Sequence, residues 1–240
     1  MKGIITFHSL DLSGSVLSYA PGTFADLIRS LVDSAVPICD LDLLLDPSTP
    51  RGVAITFDDG MASVFTHALP ILREFDVPAH LFLTTCMVGG SNQWRGQSRK
   101  VPEFEMLDWE QVEGCHVGGI HIDGHTATHP DLRQLSDTEI QAECDQADEA
   151  IKFHLGRRPA YFAYPYGYSD SRVRRLMGRR YRGCVTTKLR PLGDAEDPAA
   201  LPRIDAYYLR APWLYRRLDR ISGRAYLAAR SLLRSLRGTQ

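Results

Sequence analysis

Short apolar runs alternate with longer segments of helical periodicity along most of the chain. Apolar runs bounded by turn-forming residues predict β-strands. They lie at residues 3–7, 36–39, 52–57, 79–84, 118–122, 160–164 and 183–187, with a further candidate around Arg203. Because strand and helix signals recur in turn, we expect a parallel sheet with helices outside it. About seven such units favour a closed or nearly closed α/β barrel, with a doubly wound open sheet as the alternative.

Two of the intervening segments carry signals for the start and end of a helix. One opens with Thr23-x-x-Asp26, and another opens with Ser136-x-x-Glu139 and stops at Gly156. These patterns are typical of helix capping at the N-terminus and of a glycine at the C-terminus. The second helix also carries an apolar stripe at helical spacing, formed by Ile140, Cys144, Ala147 and Ile151.

Length and composition fit one large domain. The chain has 240 residues, of which 44% are hydrophobic, so a substantial core can form. The formal net charge is −1, but it is unevenly distributed. From Arg210 onward there are eight arginines and one acid, Asp219, which gives +7 and leaves −8 for the remaining residues.

The basic C-terminal segment, residues 210–240, has two interpretations. The first is a helical extension that packs on the barrel and keeps its basic face in solvent. The second is peripheral contact with an anionic membrane surface, which would suit a lipid-linked saccharide substrate handled in the cytoplasm. Nucleic acid is a poor fit as a partner, because the rest of the chain is acidic.

The sequence predicts a cytoplasmic location, either free or at the inner face of the membrane. Its first residues lack the apolar core of a secretion signal, and no run approaches the ~20 apolar residues of a membrane span. The five cysteines are odd in number and scattered, and none forms a Cys-x-x-Cys pair. Free thiols in a reducing compartment explain this usage.

Two adjacent carboxylates, Asp58 and Asp59, follow the predicted strand at 52–57 and precede Gly60. Asp-Asp-Gly is also a good turn sequence, so the motif alone has a purely structural interpretation. In α/β folds, however, functional groups gather at the carboxyl ends of parallel strands. The two carboxylates are therefore candidates for the active site.

A second motif, "GHTATHPDL", places His125 and His129 just after the strand predicted at 118–122. Pro130 disfavours a helix at the residue before it, so we expect a turn or loop. A pair of histidines alone is a modest metal signal. Two imidazoles and one carboxylate, however, form a three-ligand set that leaves a coordination position for water, as in catalytic zinc sites. The other carboxylate can then act as a general base.

A third motif, "YFAYPYGYSD", spans residues 161–170. Pro165-Tyr166-Gly167 closes the preceding strand, and a structural interpretation is a turn followed by a helix near Ser169. Such a turn can also present a backbone N–H to a developing oxyanion, and tyrosine rings offer a stacking surface for a sugar.

The three motifs "TFDDG", "HTATH" and "PYG", in this order and at these separations, resemble the polysaccharide deacetylase family. This family is also called carbohydrate esterase family 4 or the NodB homology domain. The resemblance covers roughly residues 3–205, and residues 1–209 are assigned to the catalytic domain. "ITFHSLDLSGS" and "LPRID" resemble the branch found with exopolysaccharide synthesis.

The resemblance implies a single-domain, distorted (β/α)7 barrel that removes N-acetyl groups from amino sugars with the help of a metal. It implies that Asp58 is the catalytic base and that the backbone N–H of Tyr166 is an oxyanion donor. The implied metal ligands are Asp59, His125 and His129. This set suits Zn²⁺, with Co²⁺ or Ni²⁺ as alternatives.

The implied substrate is an N-acetylated glycan with N-acetylglucosamine-type units, in exopolysaccharide or cell-envelope glycan synthesis. Candidates for lining the sugar groove are Tyr164, Pro165, Tyr166 and Trp94. Trp94 belongs to the longest irregular segment, residues 89–106, and a loop of this length is usually functional or disordered.

Two departures from the family pattern concern the catalytic machinery. Many members have an arginine beside the base at the position of Ala163, and Arg203 is our candidate to replace it from a late strand. Many members also have a late histidine as general acid, whereas the last histidine here is His154. His8 is a candidate for this role, with His121 as a weaker candidate and Asp58 itself, once protonated, as the alternative donor.

Two other functions stay open at this level. Besides a deacetylase, the chain could be a barrel that binds carbohydrate with impaired catalysis, or a related hydrolase such as a deformylase or another amidohydrolase. The missing late histidine favours the carbohydrate-binding barrel.

Overall fold

The computed structural model describes residues 1–34, 36–218 and 220–236. Its strands are β1 (Lys2–Phe7), β2 (Ser9–Leu10), β3 (Ser18–Tyr19), β4 (Gly52–Asp59), β5 (Ala79–Leu83), β6 (Ile120–Gly124), β7 (Tyr161–Ala163), β8 (Gly183–Leu189) and β9 (Leu201–Asp205). Seven of them close a parallel barrel in the order β1-β4-β5-β6-β7-β8-β9, and β9 pairs with β1. The predicted (β/α)7 barrel is confirmed, and the open-sheet alternative is wrong.

Helices connect the barrel strands and cover their outer faces. They are α1 (Pro21–Asp33), α2 (Leu41–Leu45), α3 (Leu69–Glu74), α4 (Trp109–Val117), α5 (Asp137–Leu155), α6 (Ser171–Arg180), α7 (Pro212–Tyr215) and α8 (Ile221–Leu236). A π-helical turn at Val64–Ala68 precedes α3, and short 3-10 turns follow several strands. Because all barrel strands are parallel, their carboxyl ends meet at one rim, which carries the three motifs.

One predicted strand, residues 36–39, is not a strand in the structure. Only Ile38 makes an isolated bridge, to Val53 near the start of β4. On that edge of β4 the barrel neighbour is β5, and its pairing with β4 begins at Thr56. Residues 36–39 can therefore cover only the part of the edge that precedes Thr56. The seventh barrel strand is instead β9, which corresponds to the candidate around Arg203.

The two predicted helix starts have different outcomes. Helix α5 begins after Ser136 with a full capping box and ends at Gly156, whose φ of 71° is left-handed, as predicted. Helix α1 begins earlier than predicted, at Pro21, and its N-cap residue Ala20 makes no side-chain cap. Proline at the first helical position presets φ and has no N–H to satisfy, so it starts the helix without a Thr23 cap.

The barrel interior is apolar at its middle and polar toward the carboxyl rim. Its apolar cluster includes Ile4, Ala54, Phe82, Ala163, Val185 and Leu201. Strand side chains alternate between the two faces, so Thr6 and Thr56 continue the same inward rows one layer higher, and Asp58 follows Thr56 in the next layer. All three are buried, and they surround the guanidinium of Arg203. The interior therefore ends in a polar layer directly beneath the rim.

The exposed side of the C-terminal helix α8 carries large apolar side chains as well as a basic one. Ile221, Leu232 and Leu236 are 87%, 62% and 75% exposed, and Arg224 is exposed too. Arg230 is half-buried, with its guanidinium 5.0 Å from the ring centre of Tyr208. Leu227 of α8 is buried in the core that the barrel shares with its helices, and this contact sets the orientation. None of the helices in the described ranges is long and apolar enough to cross a membrane.

Candidate active site

The two carboxylates of the first motif end β4 at a tight turn. Gly60 N–H donates to the carbonyl of Asp58 at 2.9 Å, across Asp59 with its left-handed φ of 73°. This is the three-residue γ-turn, which is rare and strained with a positive φ at its centre. Because the turn reverses the chain at Asp59, both neighbouring carboxylates reach the rim instead of pointing to opposite faces of the sheet.

Asp59, His125 and His129 converge on one point, although they are far apart in the chain. Nε2 of His125 lies 3.2 Å from Oδ1 of Asp59, and Nε2 of His129 lies 3.4 Å from the same oxygen. One ligand atom from each residue lies within 4.8 Å of the other two, and all three residues are buried. The structure thus brings together the three ligands that the sequence predicts.

The backbone around this cluster is strained. Among the described residues, five non-glycine residues have a positive φ, and four of them lie at the site: Asp59, Thr126, His129 and Tyr166. Each such residue costs on the order of 1–3 kcal/mol and persists only where the surroundings enforce it. Strain of this kind clusters at functional sites, so the backbone independently marks this rim.

Arg203 forms a bidentate pair with Asp58. Its Nη1 and Nη2 donate to Oδ1 and Oδ2 at 2.7 and 2.6 Å, and Nε donates to the carbonyl of Thr186 at 3.0 Å. Arg203 is 1% exposed and Asp58 4% exposed, so water hardly screens the pair. The planar fork fixes the orientation of the carboxylate. Strand β9 thus supplies a guanidinium beside Asp58. The arginine expected from the resemblance is absent, since that position is Ala163.

Burial and partners shift the titration of the site residues in opposite directions. Burial alone would raise the pKa of Asp58, but the charge and hydrogen bonds of Arg203 outweigh it and hold that pKa below its ordinary value. The pKa of Asp59 is also lowered, because His125 and His129 outweigh its burial. Burial lowers the pKa of His129 to about 3. Burial alone would lower the pKa of His125, but its hydrogen bond to Asp59 together with the charges of Asp58 and Asp59 outweighs burial, and the pKa is raised.

The two histidines proposed as replacement acids lie in different places. His8 follows β1, and its Nε2 is 3.9 Å from Oδ2 of Asp58 with the side chain 24% exposed. His121 is the second residue of β6 and stacks on His80 at 4.8 Å, near the amino ends of the strands. His121 therefore lies at the wrong end of the barrel, and its candidacy as general acid is wrong.

The aromatic candidates divide into one tyrosine at the site and one behind it. The ring of Tyr166 lies 4.5 Å from His129, and its hydroxyl accepts a hydrogen bond from Nε1 of Trp94 at 3.2 Å. Tyr164 is 1% exposed and donates its hydroxyl hydrogen to the carbonyl of Ala199, so it cannot stack on a sugar. The prediction that Tyr164 lines the groove is therefore wrong.

Trp94 and Pro165 are more buried than a sugar-stacking role requires. Trp94 is 6% exposed, packs at 4.3 Å against the ring of His129, and belongs to a small apolar cluster with Met61 and Met106. It therefore forms the wall behind the cluster of ligands. Pro165 is buried at the start of the turn that carries Tyr166. From this position Pro165 can shape the turn but cannot contact a sugar.

The residues present fit a divalent transition metal. His125 donates Nδ1–H to the carbonyl of Ala163 at 2.8 Å, so in the neutral ring it is Nε2 that carries the lone pair toward Asp59. Nδ1 of His129 is buried and has no hydrogen-bond partner among the described residues. Two imidazole nitrogens and a carboxylate oxygen are ligands that zinc and its neighbours accept.

Sequence reasoning missed two residues that hold the histidine loop. The hydroxyl of Thr126 accepts the backbone N–H of His129 at 3.0 Å. Glu143, from α5, accepts the backbone N–H groups of Ala127 and Thr128 at 3.1 and 2.9 Å. Thr126 lies between the two histidines of the motif, so its position in the sequence indicated a role in that loop. Glu143 lies on a distant helix and carried no local signal.

A closed parallel barrel with an Asp-His-His cluster on its carboxyl rim has a candidate metal site where α/β barrels carry their active sites. The family model for polysaccharide deacetylase matches residues 46–180. The chain belongs to the polysaccharide deacetylase family.

Relatives and solved structures agree with this assignment. The chain is 31% identical over 176 residues to a chitin deacetylase of Amylomyces rouxii, covering 71% of this chain and 37% of that protein. It is 27% identical over 192 residues to YxkH of Bacillus subtilis (strain 168), covering 77% and 64%. The chain thus spans less than two thirds of the length of either.

Two solved structures share the fold. The Streptococcus pyogenes deacetylase PplD, solved in complex with acetate, is 22% identical with a TM-score of 0.73, covering 85% of this chain and 91% of PplD. IcaB from Ammonifex degensii is 23% identical with a TM-score of 0.73, covering 89% and 96%. At 22% and 23% identity, both comparisons support the fold alone.

Proposed function

We propose that this chain is a metal-dependent hydrolase that removes N-acetyl groups from N-acetylglucosamine-type units of a glycan. The proposed glycan is a poly- or oligosaccharide of exopolysaccharide or cell-envelope synthesis. The observation that carries the proposal is the convergence of Asp59, His125 and His129 beside Asp58, which Arg203 holds ionised. The relatives named chitin deacetylases support the reaction type.

Asp59, His125 and His129 would hold the metal, with Zn²⁺ as the first candidate and Co²⁺ or Ni²⁺ as alternatives. A divalent ion supplies Lewis acidity and lowers the pKa of a water molecule that it binds. The carbonyl of Ala163 fixes the ring of His125 through Nδ1, so its Nε2 is oriented before any ligand arrives.

In the proposed reaction Asp58 removes a proton from the attacking water, and the oxygen adds to the amide carbonyl carbon. The backbone N–H of Tyr166 stabilises the oxyanion that forms; losing one such donor typically costs about 2.7–4 kcal/mol of barrier. The C–N bond then breaks as a proton reaches the nitrogen. The products are acetate and a free amino sugar.

We assign the proton donated to the leaving nitrogen to His8. Its Nε2 lies 3.9 Å from Oδ2 of Asp58 and its side chain is partly open to solvent. It therefore lies at the rim beside the base, where a leaving group can reach it. Asp58 itself, once protonated, is the alternative donor.

Acetate release tests the proposal. Purified protein loaded with Zn²⁺ or Co²⁺ should release acetate from N-acetylglucosamine oligomers, and metal analysis should give one ion per chain. No release with any of these metals would count against the proposed function. Matched formyl and acetyl substrates separate a deacetylase from a deformylase. A protein that binds the oligomers equally well with and without Asp58→Asn, and turns over neither way, would be a carbohydrate-binding barrel.

We also propose that the chain works on a lipid-linked glycan at the cytoplasmic face of a membrane. The outward apolar side of α8 and the exposed arginines Arg216, Arg217 and Arg220 support contact with an anionic lipid surface. All five cysteines are free, which supports a reducing compartment.

Sedimentation with vesicles that contain phosphatidylglycerol tests this contact. The double variant Leu232→Asp/Leu236→Asp should lose binding, whereas Leu43→Asp should keep it. Leu43 is a matched control, because it is 55% exposed but lies on α2, away from the C-terminal helix. Equal binding by all three proteins would refute the membrane contact.

A further inference from the structure

A basic groove adjoins the turn that carries Tyr166. It has a volume of about 340 Å³, and Gly167, Tyr168 and Thr187 form part of its wall. The ring of Tyr168 lies 5.8 Å from the ring of Tyr166, which in turn lies 4.5 Å from His129. The groove therefore begins two side chains away from the candidate metal ligands.

Four cationic side chains line this groove, and no carboxylate lines it within the described ranges. They are Arg133, Arg174, Lys188 and Arg234. The chain as a whole carries a formal charge of −1, so the concentration of positive charge here is local. A cleft lined by one sign of charge focuses its field on ligands of the opposite sign.

Two of these cations, Arg174 and Lys188, form no ion pair within the described residues. Neither Arg174 nor Lys188 has a carboxylate within ion-pair distance in the part of the chain that the structure describes, and Nε of Arg174 donates only to the hydroxyl of Ser169, at 3.0 Å. Arg133, by contrast, is paired with Asp131 at 2.8 Å. Glu196 pairs with Arg190, and its charge also acts on Lys188 from beyond ion-pair distance.

Helix α8 directs polar side chains into the groove and leaves several apolar side chains on its solvent face. Ser231 and Arg234 line the groove, whereas Leu232, Leu233 and Leu236 face solvent. A surface helix ordinarily has the reverse arrangement. Ser231 and Arg234 thus share the groove with Arg174 and Ser169, so both α6 and α8 contribute hydrogen-bond donors to its lining.

We propose that this groove binds a phosphate group carried by the acetylated saccharide. The inference rests on the proposed deacetylase function and specifies its substrate as a sugar phosphate or phosphodiester. A phosphate carries up to two charges and several acceptor oxygens, which suits several separate cations and hydroxyls better than a single carboxylate does. The acetamido group would then lie over the rim while the phosphate lies in the groove.

The first test is calorimetric titration of the metal-free protein with N-acetylglucosamine 1-phosphate and with N-acetylglucosamine. Chelation removes metal, so the cluster of ligands cannot bind the phosphate through an ion. We expect the phosphorylated sugar to bind at least about tenfold more tightly, and Arg174→Gln/Lys188→Gln to abolish that difference.

The matched control is Arg175→Gln/Arg179→Gln. It removes the same charge from the solvent side of α6, outside the groove, and should leave the difference intact. Equal affinities for both sugars in the wild type, or equal losses in the two double variants, would overturn the inference.

A second arm separates substrate phosphate from lipid headgroups. If Arg174→Gln/Lys188→Gln loses binding to phosphatidylglycerol vesicles but keeps its affinity for the sugar phosphate, the groove contacts the membrane and the inference is overturned. Unchanged vesicle binding with lost sugar-phosphate binding supports it. Because neither arm needs turnover, tight sugar-phosphate binding without acetate release would refute the deacetylase function and leave the phosphate site standing.

Discussion

The barrel contains two buried histidine–aspartate pairs, one at each end, and their environments differ. At the amino ends of the strands, Nδ1 of His80 lies 2.7 Å from Oδ2 of Asp123. At the carboxyl rim, Nε2 of His125 lies 3.2 Å from Oδ1 of Asp59. Composition and burial are nearly the same at both ends, so neither property separates a structural pair from a functional one.

The pair at the amino end is saturated with hydrogen bonds. Nε2 of His80 accepts the backbone N–H of Leu41 at 2.9 Å, so the proton on Nδ1 faces Asp123. The other carboxylate oxygen accepts the backbone N–H groups of Ala160 and Tyr161 at 3.0 and 3.1 Å. The pair thereby ties together β5, β6, α2 and the start of β7, and it has no atom left to bind a ligand.

The pair at the rim lacks this saturation. A second imidazole, His129, approaches the same oxygen of Asp59, and its Nδ1 has no partner among the described residues. Once His125 is deprotonated, lone pairs of both imidazoles converge on the same carboxylate oxygen and repel it unless a cation lies among them. The comparison shows that unmet hydrogen-bonding capacity, more than residue type, distinguishes the candidate metal site from the structural network at the other end.

The largest expected effect is that of Asp58→Asn on turnover. The amide cannot accept a proton as the carboxylate does, so acetate release should fall by about 10²- to 10⁴-fold. Steady-state kinetics on N-acetylglucosamine oligomers measure this, and metal content should stay at the wild-type value. A fall of less than about tenfold would remove Asp58 from the role of base.

The next effect is the stability cost of His80→Ala. It leaves the Asp123 carboxylate and the Leu41 N–H buried without their partner, so the free energy of unfolding should fall by about 3 kcal/mol. Urea denaturation measures it. The control His121→Ala removes the ring stacked on His80 but leaves those hydrogen bonds, and should cost less. Loss of metal by folded His80→Ala protein would contradict the separation of the two pairs.

Metal should stabilise the rim and leave the amino end unaffected. At a free Zn²⁺ concentration about a hundredfold above its Kd, the wild type should gain about 2.7 kcal/mol in unfolding free energy over the chelated protein. His129→Ala should gain far less at the same concentration. Denaturation curves with and without Zn²⁺ test this, and an equal gain in both proteins would place the metal elsewhere.

The smallest effect concerns the pH dependence of the metal-free protein. The pKa of His125 is raised in the folded state, so the stabilisation from its pairing with Asp59 is complete below its ordinary value of 6.5. That stabilisation is lost as pH rises through the raised pKa. Wild-type unfolding free energy should therefore decline across this interval more steeply than that of His125→Gln. Parallel curves in the presence of chelator would contradict the pairing.

The order of strands and the location of the site followed from local sequence patterns. Apolar runs predicted six of the seven barrel strands, and the seventh coincides with the candidate around Arg203. Local patterns failed where neighbouring segments decide which chain pairs with a strand. Residues 36–39 have the composition of a strand, but only Ile38 pairs with β4, because β5 occupies the rest of that edge. Local patterns left the orientation of α8 open, because periodicity shows that a helix has two faces but not which one the barrel covers.

The site showed the same limit. Motif spacing assigned Asp59, His125 and His129 to one cluster through a family resemblance, and the structure brings their ligand atoms within 4.8 Å. The burial of Tyr164 against Ala199 was invisible, because an aromatic residue at a strand end can face either the groove or the helices. The support of the histidine loop by Glu143 was also hidden, since it depends on how α5 docks.

The sequence by itself determined the chemistry that this protein can carry: two adjacent carboxylates, two histidines and a Pro-Tyr-Gly turn, each at the end of a strand. Strand alternation and turn residues act over a few positions, so local sequence suffices to specify them. Only the tertiary structure decided which His–Asp pair is saturated, that the Arg203 guanidinium meets Asp58, and that α8 turns Arg234 toward a groove beside the site. These outcomes depend on close packing between segments distant in the chain, where each partner's burial and hydrogen bonds are set by the other.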